Sequence, residues 1–222
     1  MHLPTLRFLV AGFFVATFAC PIQAEDDPVF TALVTVAVIP EQVWQEKLVL
    51  LDLKANELLE RTKKLTTVSE VSGTLQGLGE VTFTNGKLLT FTDGWESPGD
   101  DPAQLKPEST IERVIGTEVR LGLLKPHTET KDRRLKLSLT HTFGEPMSHL
   151  VNYGAAAKSA EERLKLSAPL PIFDELQWSG ETPVTPGKTS LIASMRRHSA
   201  PAADAKDAQR CLIFVQLNSQ PK

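Results

Sequence analysis

Reactive side chains at workable spacing are few in this chain. Gly187-Lys188-Thr189 has the ending of a phosphate-binding loop. Such a loop also needs a glycine five residues before Gly187, where Thr182 stands, and Pro183 and Pro186 remove N–H donors that would face a phosphate. The stretch reads instead as a hairpin turn. His127, His141, His149 and His198 form no compact ligand pattern such as HExxH, so no metal site is expected. His127 and His141 could approach across a hairpin, although rim or surface positions suit all four. Asp174 and Glu175 are neighbours on a strand, so their carboxylates point to opposite faces and cannot work as a pair. No serine lies in a GxSxG elbow. Cys211 opens the apolar run Cys211–Leu217 and reads as a buried, inert thiol.

The expectation is therefore a protein that is not an enzyme, with no catalytic residue, no cofactor and no evident small-molecule ligand. The remaining candidate for function is an aromatic one. Trp95 falls in a Gly/Pro-rich loop, Asp93–Pro107, where it can serve as a partner contact. Trp44 fits a helix face and reads as core.

Composition narrows the classes. The 222 residues carry a net charge of −3, which supplies no basic footprint for nucleic acid. Apolar residues make up 41%, enough for a packed core, and two cysteines exclude a disulfide scaffold.

The positions of these residues depend on elements legible from periodicity. Val29–Ile39 is β-branched, with Phe30, Ala32, Val34, Val36 and Val38 on one face, and Pro40 stops it. Glu41–Leu51 and Leu53–Leu65 read as helices, with Asp52 as N-cap of the second. From Thr66 the period changes to two. Val68–Leu75 and Leu78–Thr84 are strands, and Asn85-Gly86 is the preferred pair for a type I′ hairpin turn leading into Lys87–Phe91. Arg113–Leu124 and Arg134–Phe143 alternate apolar and polar residues and should pair as antiparallel strands buried on one side, with Thr128–Asp132 as their tip. Ile172–Val184 and Thr189–Met195 read as strands about the Pro186-Gly187 turn. Gly154–Leu166 is a polar, alanine-rich insert, and His198–Gln209 a linker. Cys211–Leu217 is apolar on both faces and should be a central strand.

The N-terminus reads as an export signal: a weakly positive Met1–Arg7, an apolar Phe8–Ala19 too short for a bilayer, and Pro21 before a small residue at Ala24. Cleavage is expected between Ala24 and Glu25, leaving 25–222 as a single β-rich domain. Lipidation at Cys20 is the second option, with Thr17-Phe18-Ala19 a poor lipobox.

The order of segments resembles the core of secretins, the ring-forming outer-membrane proteins of type II and III secretion and type IV pilus systems. The matching pieces are Val81–Phe91 with its Asn85-Gly86, Gly116–Pro126, Arg134–Thr140, Thr182–Met195 and Leu212–Gln216. The resemblance is to a short member without the family's leading periplasmic domains. His198–Gln209 stands where secretins have a Pro/Leu/Gly-rich signature. Aromatic content of 6% is low for the girdles of a membrane barrel, and Arg133, Arg134 and Lys136 punctuate the clearest strand.

The fold implied is α+β and β-dominant, a mostly antiparallel sheet with one or two N-terminal helices. The function implied is that of an exported, non-enzymatic envelope protein with a structural or assembly role in protein secretion or pilus biogenesis. It would be periplasmic or outer-membrane associated, and its partners would be itself or other envelope and secretion proteins. The alternative is a soluble periplasmic binding module with no pore or secretion role. A hydrolase with a non-standard site is the third reading.

Overall fold

The computed structural model describes residues 29–49, 51–96, 105–124, 132–152, 159, 167–197 and 208–220. The signal segment, Cys20, Ala24, Glu25, His127, His198 and almost all of the 154–166 insert lie outside these residues.

Two four-stranded antiparallel sheets face each other. The first has the order β2-β1-β10-β9, from β1 (Val29–Pro40), β2 (Val68–Gln76), β9 (Thr189–Arg197) and β10 (Gln209–Ser219). The second has the order β3-β4-β5-β8, from β3 (Glu80–Glu96), β4 (Lys106–Leu124), β5 (Arg133–Thr142) and β8 (Glu175–Val184). A separate two-stranded sheet joins β6 (Met147–Asn152) to β7 (Ser167–Ile172).

Alternation explains the layering. Phe30, Ala32, Val34 and Val36 of β1, with Ile213, Val215 and Leu217 of β10, meet Val119, Leu121 and Leu123 of β4 and Leu135, Leu137 and Leu139 of β5 in one buried cluster. Each such Leu, Ile or Val contributes roughly 1.5–3 kcal/mol on full burial. The odd positions of β1 face the other way. Ala37 and Ile39, with Leu212 and Phe214 of β10, pack against Leu48, Leu58 and Leu59 of the helical layer. That layer consists of α1 (Glu41–Val43), a π-helical turn (Trp44–Leu48) and α2 (Ala55–Leu65). The first sheet is thus covered on both faces, which is why β10 is apolar on both sides. The second sheet is covered on one, which is why β4 and β5 alternate. Trp44 is partly buried against the helical cluster.

Four details depart from the sequence reading. Asn85-Gly86 is not a turn: β3 runs straight through it, and Asn85 pairs with Thr117 and Gly86 with Gly116 along the β4 ladder. Both central residues of a type I′ turn need positive φ, and neither Asn85 nor Gly86 has it. The glycines are there because β3 and β4 approach too closely for a side chain. The turn at Pro186-Gly187 carries a glycine with φ of 81°, but it passes from β8 in one sheet to β9 in the other, a corner and not a hairpin. Asp52 does not cap α2, whose N-cap is Lys54 without a side-chain bond. Ile172–Val184 is not one strand: β7 ends at Ile172 and β8 begins at Glu175.

Candidate functional site

β3 and β4 are far longer than their neighbours require. β5 pairs with β4 only from Thr117 to Leu124. Beyond the Gly86–Gly116 pair, Lys87–Glu96 and Lys106–Ile115 pair with each other alone among the described residues. They form a two-stranded ribbon that extends past the paired sheet by about 30 Å, at the usual rise of a strand.

The root of the ribbon is held by polar contacts that join the two sheets. Asn85 Nδ2 donates to the backbone oxygen of Glu70 on β2 at 2.8 Å. The Thr117 hydroxyl, fully buried, is hydrogen-bonded to Ser69 Oγ of β2 at 2.7 Å and to His141 Nδ1 of β5 at 2.7 Å. The His141 ring meets Phe143 edge-on at 4.5 Å, and the Arg197 guanidinium lies 3.6 Å over Phe143 while pairing with Asp174. Burial, reinforced by the Arg197 charge, holds the His141 imidazole below its ordinary pKa. A Ser-Thr-His chain invites a catalytic reading, but the geometry opposes it. His141 Nδ1, where an orienting carboxylate would sit, is occupied by a threonine that is itself sealed from solvent. The chain works as a clasp between sheets.

The far part of the ribbon presents apolar side chains. Leu88 is 60% exposed on one face. On the other, Leu89 and Phe91 are half-buried beneath β7 and the residues that follow it. Phe91 meets Phe173 edge-on at 5.1 Å, Arg113 lies 5.9 Å over the same ring, and Trp95 Nε1 donates to the Pro169 oxygen at 3.2 Å. A groove of about 460 Å³ runs between these elements, lined by Leu89, Phe91, Trp95, Glu145, Pro169 and Pro171 among others. Trp95 therefore lies at the end of β3, half-buried, and is not a free loop residue.

The other candidates are dispersed. His149 sits exposed on β6. Asp174 precedes β8 and bonds Arg197, whereas Glu175, the first residue of β8, lies 4.0 Å from Arg113. Cys211 is buried, and desolvation pushes its thiol up to about 11. Among the described residues no group of three or more His, Cys, Asp or Glu is placed to hold a metal, and no helix is long and apolar enough to cross a membrane. Glu41 is buried, accepts from Arg210 Nη2 at 2.8 Å and Nε at 2.9 Å, and is held below its ordinary value chiefly by that bond. This pair anchors the helical layer to β10.

No protein-family model matches the chain, and no curated protein matches it. Solved structures do. The chain is similar to the β-barrel of the InvG secretin domain from the Salmonella SPI-1 injectisome, with TM-score 0.44 and 12% identity, over 88% of this chain and 64% of that one. It is similar to a chain of the Klebsiella pneumoniae type II secretion system outer membrane complex of PulD, PulS and PulC, with TM-score 0.43 and 8% identity, over 88% and 41%. It is likewise similar to the Vibrio cholerae type IV competence pilus secretin PilQ, with TM-score 0.42 and 12% identity, over 87% and 60%. The chain spans less than two thirds of each of these three structures. Each of these likenesses covers close to nine tenths of this chain at low identity, and the Asn85-Gly86 hairpin that helped to suggest the secretin resemblance from the order of segments is absent.

Proposed function

We propose that this is an exported, non-enzymatic envelope protein with a structural or assembly role, acting chiefly through association with further copies of itself. The observation that carries the reading is the projecting ribbon. An isolated pair of strands is marginally stable in water, and a third strand or a packed face is needed to hold it. Here β4 loses its β5 neighbour at Thr117, yet the ladder continues to Lys106. Apolar side chains such as Leu88 remain exposed along it. β7 and Phe173 cover the Leu89–Phe91 face, but the Leu88 face is left bare, and a second copy is the cover we propose for it.

The chemistry available elsewhere is consistent with a contact role, because the polar clusters at His141 and Glu41 are spent on joining layers. In this reading residues 1–24 direct export and are removed after Ala24, with lipidation at Cys20 as the alternative anchor. Trp95 is the aromatic contact at the ribbon's end. Partners other than a second copy would be envelope or secretion proteins.

Size-exclusion chromatography with light scattering on the chain, in buffer without detergent, tests the reading. Assembly beyond the monomer supports it. A strict monomer at high concentration would remove it in favour of a soluble periplasmic binding module.

A further inference from the structure

The second sheet has one uncovered face among the described residues. In β4 the residues Val119, Leu121 and Leu123 enter the core, so the even-numbered positions of that strand face outward. Glu112 stands four residues to one side of Gly116 and Arg120 four to the other, each about 13 Å along the strand. The face continues across the glycine, because Leu88, Val114, Glu112 and Glu118 line a single cleft. At its middle the paired Gly86 and Gly116 carry no side chains and leave a low point.

The two ends of this face carry opposite charge. At the ribbon end the cleft, of about 110 Å³, holds acceptors in excess of donors. No base among the described residues pairs with Glu112 or Glu118. Glu175 Oε1 is buried there without a hydrogen-bond partner: Arg113 Nε stops 4.0 Å away, and Gln177 Nε2 donates to the other oxygen at 3.0 Å. A buried carboxylate oxygen without a donor is costly. At the other end Arg120 is exposed, with no carboxylate at ion-pair distance among the described residues. Glu80, which feels its charge, is taken by Lys136 at 2.8 Å.

We propose that a second copy docks on this face about a two-fold axis over the Gly86–Gly116 pair, with Arg120 of each copy entering the Glu112–Glu175 cleft of the other. The proposal rests on the assembly reading above and names its contact. Such an axis exchanges Glu112 and Arg120, since both lie four residues from Gly116, and the contact is made twice. A guanidinium brings five donors in a planar fork, enough to serve the Glu112 carboxylate and the Glu175 oxygen together. Its aliphatic stem has Leu88 and Val114 to lie on. The carboxylates do not converge as a metal site among the described residues, whereas a fork on a long stem spans them.

Arg120→Glu and Glu112→Arg, alone and together, test it by sedimentation velocity on the full chain. Both positions are exposed, so thermal melts should show the fold retained. Each single change sets like charges against each other at both contacts and should raise the dissociation constant of the pair at least about tenfold. The double swap restores opposite charges and should return it to within about threefold of the unsubstituted chain. Without any substitution, assembly should weaken as salt rises from about 0.05 to 0.5 M. Self-association that ignores both single changes, that the double swap fails to recover, or that is indifferent to salt would overturn the proposal while leaving the assembly reading intact. Absence of assembly in the unsubstituted chain would remove the assembly reading and this proposal with it.

Discussion

Gly86 and Gly116 face each other across the β3–β4 ladder, and neither position has room for a side chain. A Cβ on Gly86 would lie 2.3 Å from the Ile115 oxygen, and one on Gly116 would lie 2.3 Å from the Asn85 oxygen. Gly116 also sits at a φ of 136°, where residues with side chains are strained. The pair marks the point where β4 loses its second neighbour and the ribbon begins. Gly116→Ala should cost about 2 kcal/mol or more, and Gly86→Ala a smaller amount, because only the first adds backbone strain to the clash. Urea midpoints of the two variants check this order.

The clasp at the ribbon's root makes a pH prediction. His141 has a folded pKa below its ordinary value of 6.5, so the unfolded chain binds the proton more readily. Stability from this group is full above pH 6.5, falls as the pH drops below that value, and stops changing below the folded pKa. Thermal unfolding between pH 8 and about 5 should show the loss. His141→Phe should flatten that part of the profile. Thr117→Val leaves Ser69 and His141 without their shared partner and should cost about 1–3 kcal/mol.

How much of this was readable beforehand follows from the range of each signal. β1, β4, β5 and β10 were legible because their neighbours bury whole faces, and a buried face writes its period into the sequence. Asn85-Gly86 misled because its turn preference is local, whereas a strand crossing the β2 edge is set by tertiary contacts. The clasp was not legible: Ser69, Thr117 and His141 lie 48 and 24 residues apart, and a buried hydroxyl resembles any surface threonine in a list of residues. β6 and β7 were missed for another reason. Pro169 and Pro171 argue against a strand, and only their outward parity reconciles them with the ladder to β6.

Glu41 and Arg210 join α1 to β10 by two hydrogen bonds, with the guanidinium also 5.2 Å from the Trp44 ring. Arg210→Ala strands a buried carboxylate and should destabilise by roughly 3 kcal/mol. The Glu41 pKa is lowered from 4.5, so the bond's contribution is present above pH 4.5 and is lost as the pH falls through the folded value. Arg210→Ala should therefore lose less stability than the parent on acidification below pH 4.5, as measured by thermal melts.

Cys211 should be silent in the folded chain. Its thiol is buried and pushed up to about 11, so little thiolate exists at pH 8 and none of it is accessible. A chromogenic disulfide reagent at that pH should fail to label Cys211 in the native chain and label it once urea is added. Rapid labelling without denaturant would contradict the packing of β10.

The central claim is that the ribbon exists to contact another copy of the chain. Sedimentation velocity across a concentration series, comparing the unsubstituted chain with Leu88→Lys, tests it most directly. Leu88 is 60% exposed and stands near Glu112 and Glu118, so a lysine there leaves the fold in place while adding a charge to the apolar contact. The unsubstituted chain should form a concentration-dependent oligomer, and Leu88→Lys should shift markedly toward monomer. A monomer in both, or the same oligomer in both, would contradict it.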